Sequence, residues 1–414
     1  MLDIQFIRDN PQLVAEKSKQ KGYEVDITQL LGFDSERRQL LTQLEKLRQE
    51  RNDHVAEAKG QKPSEEQVSR GRELKVQVAD IEHKLGAIDK EYRVLLNKVP
   101  NVFSDDVPIG GEEASLEVSY FGEKTTGAKD HLDYMNERGW VDFERGAKVS
   151  STKFYFLKGD ALLLEDAIKQ FALNSLIEKG FMYMSVPHMV NSRIALGAGF
   201  APKSSEESNE YFIEGEDLAL IGTAEAPLTG YHADEILDES QLPLFYVGYS
   251  PCYRKEAGTY GKHTRGLFRV HQFNKLEMYA FSMPENSHEI HEKLRAIEEE
   301  LWQAMAIPYR VVNIASGDLG APAVKKYDLE YWSKVDGTYR ELTSCSNCTD
   351  FQARNLNIRV RRSNGKVEVL HTLNGTAAAM ARSLVAIIEH YQDGNGKLKV
   401  PDVLQQFMGG KKEI

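Results

Sequence analysis

Cysteine is scarce in this chain: Cys252, Cys345 and Cys348 are the only three in 414 residues. Three is too few, and odd, for a disulfide framework, and fits a reducing compartment. No run of about 18 apolar residues occurs, so no segment reads as membrane-spanning. Positive charge is in deficit, with 52 Lys and Arg against 63 Asp and Glu for a net of −11, which taken alone argues against a nucleic-acid partner. No G-x-x-x-x-G-K-[ST] is present, which excludes a P-loop, and the 11 histidines show no H-E-x-x-H spacing. Cys345 and Cys348 form a C-x-x-C, but a zinc ribbon needs a second ligand pair and Cys252 stands alone, so packing is the expected role. The opening MLDIQFIRDNPQLVAEK mixes acids with its apolar residues and has no small-residue cleavage site, which argues against a signal peptide and for a cytoplasmic protein.

What is present divides into an arm and a body. From Ser35 to about Lys98 the only aromatic is Tyr92, charge is dense, and a heptad rhythm appears. Leu74, Val78, Ile81, Leu85, Ile88, Tyr92 and Leu95 alternate spacings of four and three, an a/d seam. Leu40, Leu44 and Leu47 repeat it less cleanly, continuing through Arg51, Val55 and Ala58. Between the halves, GQKPSEE supplies a Gly, a Pro and a Ser-x-x-Gln capping signal at Ser64. Two heptad helices joined by a short turn predict an antiparallel coiled-coil hairpin that projects on the order of 40 Å. Residues 35–98 carry 14 cations and 12 acids, a net of +2 that leaves −13 for the rest. The arm is thus the least acidic region and could meet a phosphate backbone; a spacer, a dimerisation arm or a solvated helix face accounts for it as well.

PNVFSDDVPIGGEEAS reads as a linker. In the body that follows, β-like runs (KFYFLKG, LALIGTAE, LFYVGYS, YRVVNIA, KVEVLHTLNG) are separated by helical stretches without strict βαβ alternation. This predicts an α+β body with a mixed or antiparallel sheet rather than a doubly wound one. The stretch PCYRKEAGTYGKHTRGLFRVHQFNKLEMY then concentrates Arg, Lys, His and Glu around a glycine-containing loop. Period two puts Arg254 and Glu256 on one strand face, and Phe273, Lys275 and Glu277 on another strand's face. Such a hairpin suits ATP and an amino acid, with Arg254 for a phosphate, Phe273 for adenine and Glu277 for an ammonium or hydroxyl group. An exposed hairpin tied by cross-strand ion pairs would read the same way.

RKEAGTYGKHTRGLFRVHQFNKLEMY resembles motif 2 of the class II aminoacyl-tRNA synthetases in the form characteristic of the seryl-tRNA synthetase family. GTAEAPLTG, YRELTSCSNCTDFQARN, HTLNGTAAAMARSL, KVSSTKFYFLKGDALLLEDA and the amino-terminal MLDIQFIRDNPQLV resemble further segments of that family, so the likeness spans essentially the whole chain. The resemblance implies a class II antiparallel sheet flanked by helices (residues 106–414, a linker at its start) preceded by a tRNA-binding domain (1–105) that carries the arm. It implies a serine pocket of Thr223, Ala224, Glu225, Arg254, Glu277, Asn374 and Thr376. For ATP it nominates Arg254, Lys255, Glu256, Arg269, Val270 by its backbone, Phe273, the segment Glu341, Leu342, Thr343 and Ser344, and Arg382. Arg254, Glu256 and Arg382 would be the catalytic group, and Glu341 and Ser344 would hold Mg2+.

The activity so implied is ATP-dependent formation of seryl-adenylate and transfer of the seryl group to tRNA(Ser), and to tRNA(Sec), by a homodimer. A ligase that loads a carrier protein, or a binding protein with a decayed site, is disfavoured by the arm and by the joint presence of Arg254, Glu256, Glu277, Glu341 and Arg382. Two departures stand out: alanines at 377–379 and 381 where the family commonly has a glycine-containing run, and RKE for the common RSE, which puts Lys255 on the opposite face of its strand. His271 and His371, beside the motifs, read as supports rather than catalytic bases.

Overall fold

The computed structural model describes residues 1–57, 64–200, 209–256, 265–393 and 396–414, and its contacts resolve two compact units, Leu2–Pro100 and Asn101–Ile414 with Met1. In the first unit two short helices, α1 (Ile4–Asp9) and α2 (Pro11–Gln20), precede the long α3 (Ile27–Glu57) and α4 (Glu65–Lys98). The long pair forms the expected hairpin, although α3 begins at Ile27, ahead of the heptads. Ser64 caps α4 reciprocally: its hydroxyl accepts from the Gln67 N–H at 3.2 Å, and Gln67 Oε1 accepts from the Ser64 N–H at 2.9 Å. Arg37–Asp89, Arg48–Glu82 at 2.7 Å and Arg70–Glu50 at 3.5 Å join the helices in antiparallel order. Exposed pairs of this kind contribute little, and the seam of Leu40, Leu44, Leu74, Val78 and Tyr92 carries the packing.

One seam position differs from expectation. Val55 is 60% exposed, and His54 turns inward instead, its Nε2 2.7 Å from the Gln67 carbonyl. The cause is the heptad itself: after Leu47 and Arg51 the next step is three residues, not four. Ala58 and the turn at 60–63 lie outside the described residues.

In the second unit eight strands form one sheet: β1 (Leu116–Phe121), β2 (Met182–Met184), β3 (Leu244–Tyr253), β4 (Gln272–Ser282), β5 (Tyr309–Asn313), β6 (Lys325–Ser333), β7 (Thr338–Thr349) and β8 (His371–Ala379). Their order is β1-β5-β6-β7-β8-β4-β3-β2. Neighbours pair antiparallel except β2 with β3, which pair parallel. Helices α5 (Asp160–Glu178), α6 (Glu225–Gly230), α7 (Ser287–Ala304) and α8 (Met380–Tyr391) complete the frame that concerns the site.

Strand β4 shows how the faces divide. Leu276, Met278 and Ala280 join a core with Leu164, Ile168, Leu294, Trp302 and Leu384 from the helices. Tyr279 and Phe281 join a second cluster on the opposite face. Lys275 and Glu277 share the parity of Tyr279, so they project away from the helical core.

Two expected strands shrink and the linker is not loose. KFYFLKG contributes only Phe156–Leu157, and LALIGTAE only Ala219–Leu220 before the chain turns into α6 at Glu225. Phe103 and Val107, within the proline- and acid-rich stretch, pack with Val312, Ile314, Leu319 and Ala323. Asn101 Nδ2 donates to the Pro322 and Cys348 carbonyls at 2.9 and 3.0 Å. Composition marked the absence of regular structure here, while two apolar side chains and one amide dock the segment.

Leu74, 1% exposed in the seam, sets the expectation for the arm. Leu74→Ala should destabilise the hairpin by about 2–3 kcal/mol, read as faster amide hydrogen exchange along α4 with exchange in β4 and β8 unchanged.

Candidate active site

The site is built on β4 and β8, which pair with Glu277 opposite Thr376 across a bulge at Leu276/Glu277. Thr376 donates its hydroxyl hydrogen to Glu277 Oε2 at 3.2 Å, and Lys275 Nζ lies 2.6 Å from the same oxygen. Two residues along β8, Asn374 Nδ2 donates to Glu225 Oε1 at 3.0 Å, and Gln352 Nε2 donates to that oxygen at 2.7 Å. Gln352 is itself fixed, its Oε1 accepting from Tyr279 and Thr372 at 2.9 and 2.6 Å. Thr223 Oγ1 accepts the Glu225 N–H at 3.2 Å, and Ala224 is fully buried beneath. Two carboxylates are thereby held at the floor of one sheet face.

Beside these carboxylates, which do not themselves line it, opens a cavity of about 550 Å3 lined by Arg254, Glu256, Phe268, Arg269, Val270, Phe273, Lys275, Lys326, Glu341, Leu342, Thr343, Ser344, Thr376 and Arg382, among others; Lys275 and Thr376 join the two. The Arg254 guanidinium lies 5.4 Å from the Phe273 ring centre, and its Nε donates to the Gly222 carbonyl at 3.2 Å. Arg269 pairs with Glu256 at 3.0 Å, and Arg382, in the first turn of α8, pairs with Glu341 at 2.9 Å. His271 Nδ1 donates to the Arg254 carbonyl at 2.9 Å, a support rather than a base. The wall at Leu267 is held by buried His131, whose Nε2 accepts the Leu267 N–H at 3.2 Å. Gly266, at φ 64°, passes so close that a Cβ would lie 2.3 Å from that nitrogen.

Charge in this space is finely divided. Burial, then repulsion from Glu277, lifts the Glu225 carboxyl to about 7, against the pull of Gln352, Lys275 and Arg254. Burial would also raise Glu341, but Arg382 and Lys326 hold it well below the usual carboxylate range. Burial raises Asp328 against the pull of Lys326, 3.0 Å away. Burial disfavours the Lys326 ammonium, yet Asp328 and Glu341 push its pKa up.

Every residue nominated for ATP lines this one cavity except Lys255, whose ammonium lies 5.8 and 5.7 Å from the Tyr211 and Phe212 ring centres. Strand alternation does not place Arg254 and Glu256. β3 ends at Tyr253, and Glu256 has φ 51°, so it is the turn beyond the strand, not period two, that brings both to the cavity. The loop 257–264 lies outside the described residues. Ala379 and Ala381 line the cavity and Ala377 is buried behind it, so their methyl groups leave the space open. Cys345 and Cys348 lie buried along β7 as free thiols. His371 Nδ1 is 2.9 Å from Ser287 Oγ. Sequence reasoning did not nominate Asn209, Phe268, Lys275, Asp318 or Lys326. Lys275 was within reach, since it alternates with Phe273 and Glu277; Lys326 and Asp318 sit in segments without a motif.

A largely antiparallel sheet with a cationic nucleotide-sized cavity on one face, flanked by the antiparallel pair β3–β4 and by a strand running into a helix that carries an Arg, defines a class II aminoacyl-tRNA synthetase core. Residues 210–391 match the tRNA synthetase class II core domain (G, H, P, S and T), and residues 1–103 match the seryl-tRNA synthetase N-terminal domain. The chain is 43% identical to the serine–tRNA ligase of Dictyoglomus thermophilum, over 99% of this chain and 98% of that one. It is 42% identical to that of Treponema denticola, over 99% of each. The crystal structure of seryl-tRNA synthetase from Pyrococcus horikoshii complexed with ATP superposes with a TM-score of 0.90 at 41% identity, covering 100% of this chain and 99% of that one. The cytoplasmic serine–tRNA ligase of Naegleria fowleri in complex with AMP gives 0.85 at 32% identity, covering 100% and 98%. The chain belongs to the seryl-tRNA synthetase family.

Glu225 gives the site a pH signature. An acid whose folded pKa is raised favours the folded state below its unfolded value, near 4.5, and loses that contribution as pH climbs to about 7. Glu225→Gln should remove the slope, so that its stability relative to wild type rises by roughly 1–3 kcal/mol between those limits and then levels off, measured by urea unfolding at each pH.

Proposed function

We propose that the chain activates L-serine with ATP and transfers the seryl group to the 3′ end of tRNA(Ser). The observation that supports this best is the juxtaposition of the Glu225 and Glu277 carboxylates at the floor with Arg254, Arg269, Lys326 and Arg382 around the cavity. Glu225, steadied by Asn374, Gln352 and the Thr223–Ala224 turn, takes the serine ammonium group. Glu277, with Thr376, takes the hydroxyl. Alanine and glycine offer no hydroxyl and would leave the Glu277 oxygen that takes it unsatisfied. Arg254 bridges the serine carboxylate and the α-phosphate, with Phe273, the Val270 backbone and Glu256 around the adenine end and Leu342 and Thr343 in the wall. Arg269 and Arg382 hold the outer phosphates.

A serine carboxylate oxygen attacks the α-phosphorus, the bond to the bridging oxygen breaks, and pyrophosphate leaves with that electron pair. The 3′-hydroxyl of the tRNA terminal adenosine then attacks the seryl carbonyl and releases AMP. No protein nucleophile is required; positioning and fixed charge lower the barrier.

Glu341 and Ser344 would hold Mg2+. No group of three or more His, Cys, Asp or Glu side chains able to hold a metal exists among the described residues. The ionised Glu341 carboxylate on the cavity wall suits an ion that arrives with the triphosphate and keeps phosphate and water ligands. When bound, such an ion neutralises phosphate charge.

Residues 1–105 are read as the tRNA-binding domain and 106–414 as the catalytic domain, with the α3–α4 hairpin recognising the tRNA by shape and backbone. The same acceptor chemistry extends to tRNA(Sec). A homodimer is supported by Met182, Tyr183 and Met189, large apolar side chains exposed at and beside edge strand β2. A cytoplasmic location agrees with three buried free thiols and with the absence, among the described residues, of any helix long and apolar enough to cross a membrane.

Exchange of labelled pyrophosphate into ATP tests the reading. Serine should support it best, with threonine, alanine and glycine lower in kcat/KM by about 100-fold or more; Glu277→Ala should abolish serine-dependent exchange, and Arg382→Ala should lower it by about 100-fold or more. Folded protein that binds ATP but exchanges with no amino acid overturns the assignment. Calorimetry gives a second check: below about pH 7 serine must displace the Glu225 proton, so binding at pH 6.5 should release protons in wild type and not in Glu225→Gln.

A further inference from the structure

Lys275 is a cation of the cavity to which the reading above gives no part. It is 6% exposed and lines the cavity with Thr376, Phe273 and Arg254. Period two along β4 puts it on the same face as Glu277, and the Nζ–Oε2 distance of 2.6 Å makes the two a buried ion pair. The Thr376 hydroxyl reaches that same Oε2. Both contacts fall on one oxygen, so among the described residues Oε1 is the one left to receive a ligand's hydroxyl hydrogen.

The charge balance gives the pair its consequence. Glu225 lies close enough to Glu277 and Lys275 to feel both charges. A serine ammonium can neutralise one carboxylate, not two. Without Lys275, two carboxylates would face one ammonium in a space shielded from water, and repulsion would drive a proton onto one of them. A protonated Glu277 can satisfy itself by donating to Thr376 and binds a hydroxyl only as a neutral group, at about half the strength of an ionised acceptor.

We propose that Lys275 is the specificity-determining positioning residue of the amino-acid pocket: it supplies the counter-charge of Glu277, engages Oε2, and reserves Oε1 for the substrate hydroxyl. The proposal rests on the reading of serine activation. It assigns discrimination between serine and alanine to a pair of residues rather than to Glu277 alone. A lysine that merely braced β4 would, when replaced, affect both amino acids alike.

Pyrophosphate exchange with Lys275→Met, nearly matched in length, and Lys275→Arg, with serine and alanine assayed separately, decides the matter. Lys275→Met should lose about 100-fold or more in kcat/KM for serine, while alanine changes less than about threefold and KM for ATP is unaltered. Lys275→Arg should keep most of the preference. Equal losses with both amino acids, or a preference that survives Lys275→Met, overturn the proposal. If Lys275→Met does not fold, the double variant Lys275→Met/Glu277→Gln removes both charges. Its serine-to-alanine ratio should then match that of Glu277→Gln alone, and a ratio near wild type overturns the proposal. Wild-type protein without serine-dependent exchange overturns the serine reading and this proposal together, whereas serine-specific wild type with an unaltered ratio in Lys275→Met overturns the proposal alone.

Discussion

The pairing of β4 with β8 is the constraint on which the rest depends. It sets Lys275, Glu277, Asn374 and Thr376 on one face, while Leu276, Met278 and Leu373 are packed into the helical core behind. Ion pairs buried this deeply are stable only where their geometry is fixed before any ligand arrives. A central pair of strands, each hydrogen-bonded on both sides, supplies that fixity. The bulge at Leu276/Glu277 then brings Glu277 level with Thr376.

Around this floor the charges are deliberately unequal. Glu341 is ionised against Arg382, and Glu277 lies 2.6 Å from Lys275. Among the described residues the Glu225 carboxylate accepts from the amides of Gln352 and Asn374, and its carboxyl rises to about 7. A ligand ammonium therefore completes the charge pattern rather than disturbing it, which is how an amino acid can be recognised in a space that would reject an unpaired charge.

Much of this was legible in the chain because local rules carried it. The heptads announced the hairpin, the capping box its second helix, and the alternation in HQFNKLE the face that bears Phe273, Lys275 and Glu277. Errors arose where a local rule was extended too far. A four-residue step from Arg51 to Val55 falls out of phase with the heptad, and strand alternation does not extend through RKE, because the backbone of Glu256 turns to positive φ. The stretch from Pro100 reads as a linker by composition, yet Phe103 and Val107 are buried. Only for the stretch after Pro100 are the deciding contacts, with Val312, Ile314, Leu319 and Ala323, outside the window that the rule inspects.

By itself, the sequence determined the elements and the family, since periodicity, caps and motifs are properties of neighbouring residues. Only the tertiary structure decided which charges meet. Glu225 and Asn374, Glu277 and Thr376, and Glu341 and Arg382 are separated by 149, 99 and 41 residues. Lys326 and Asp318 reach the cavity from segments that no motif marks. Electrostatic energy depends on distance and burial, and both are fixed by strand register and packing rather than by spacing along the chain.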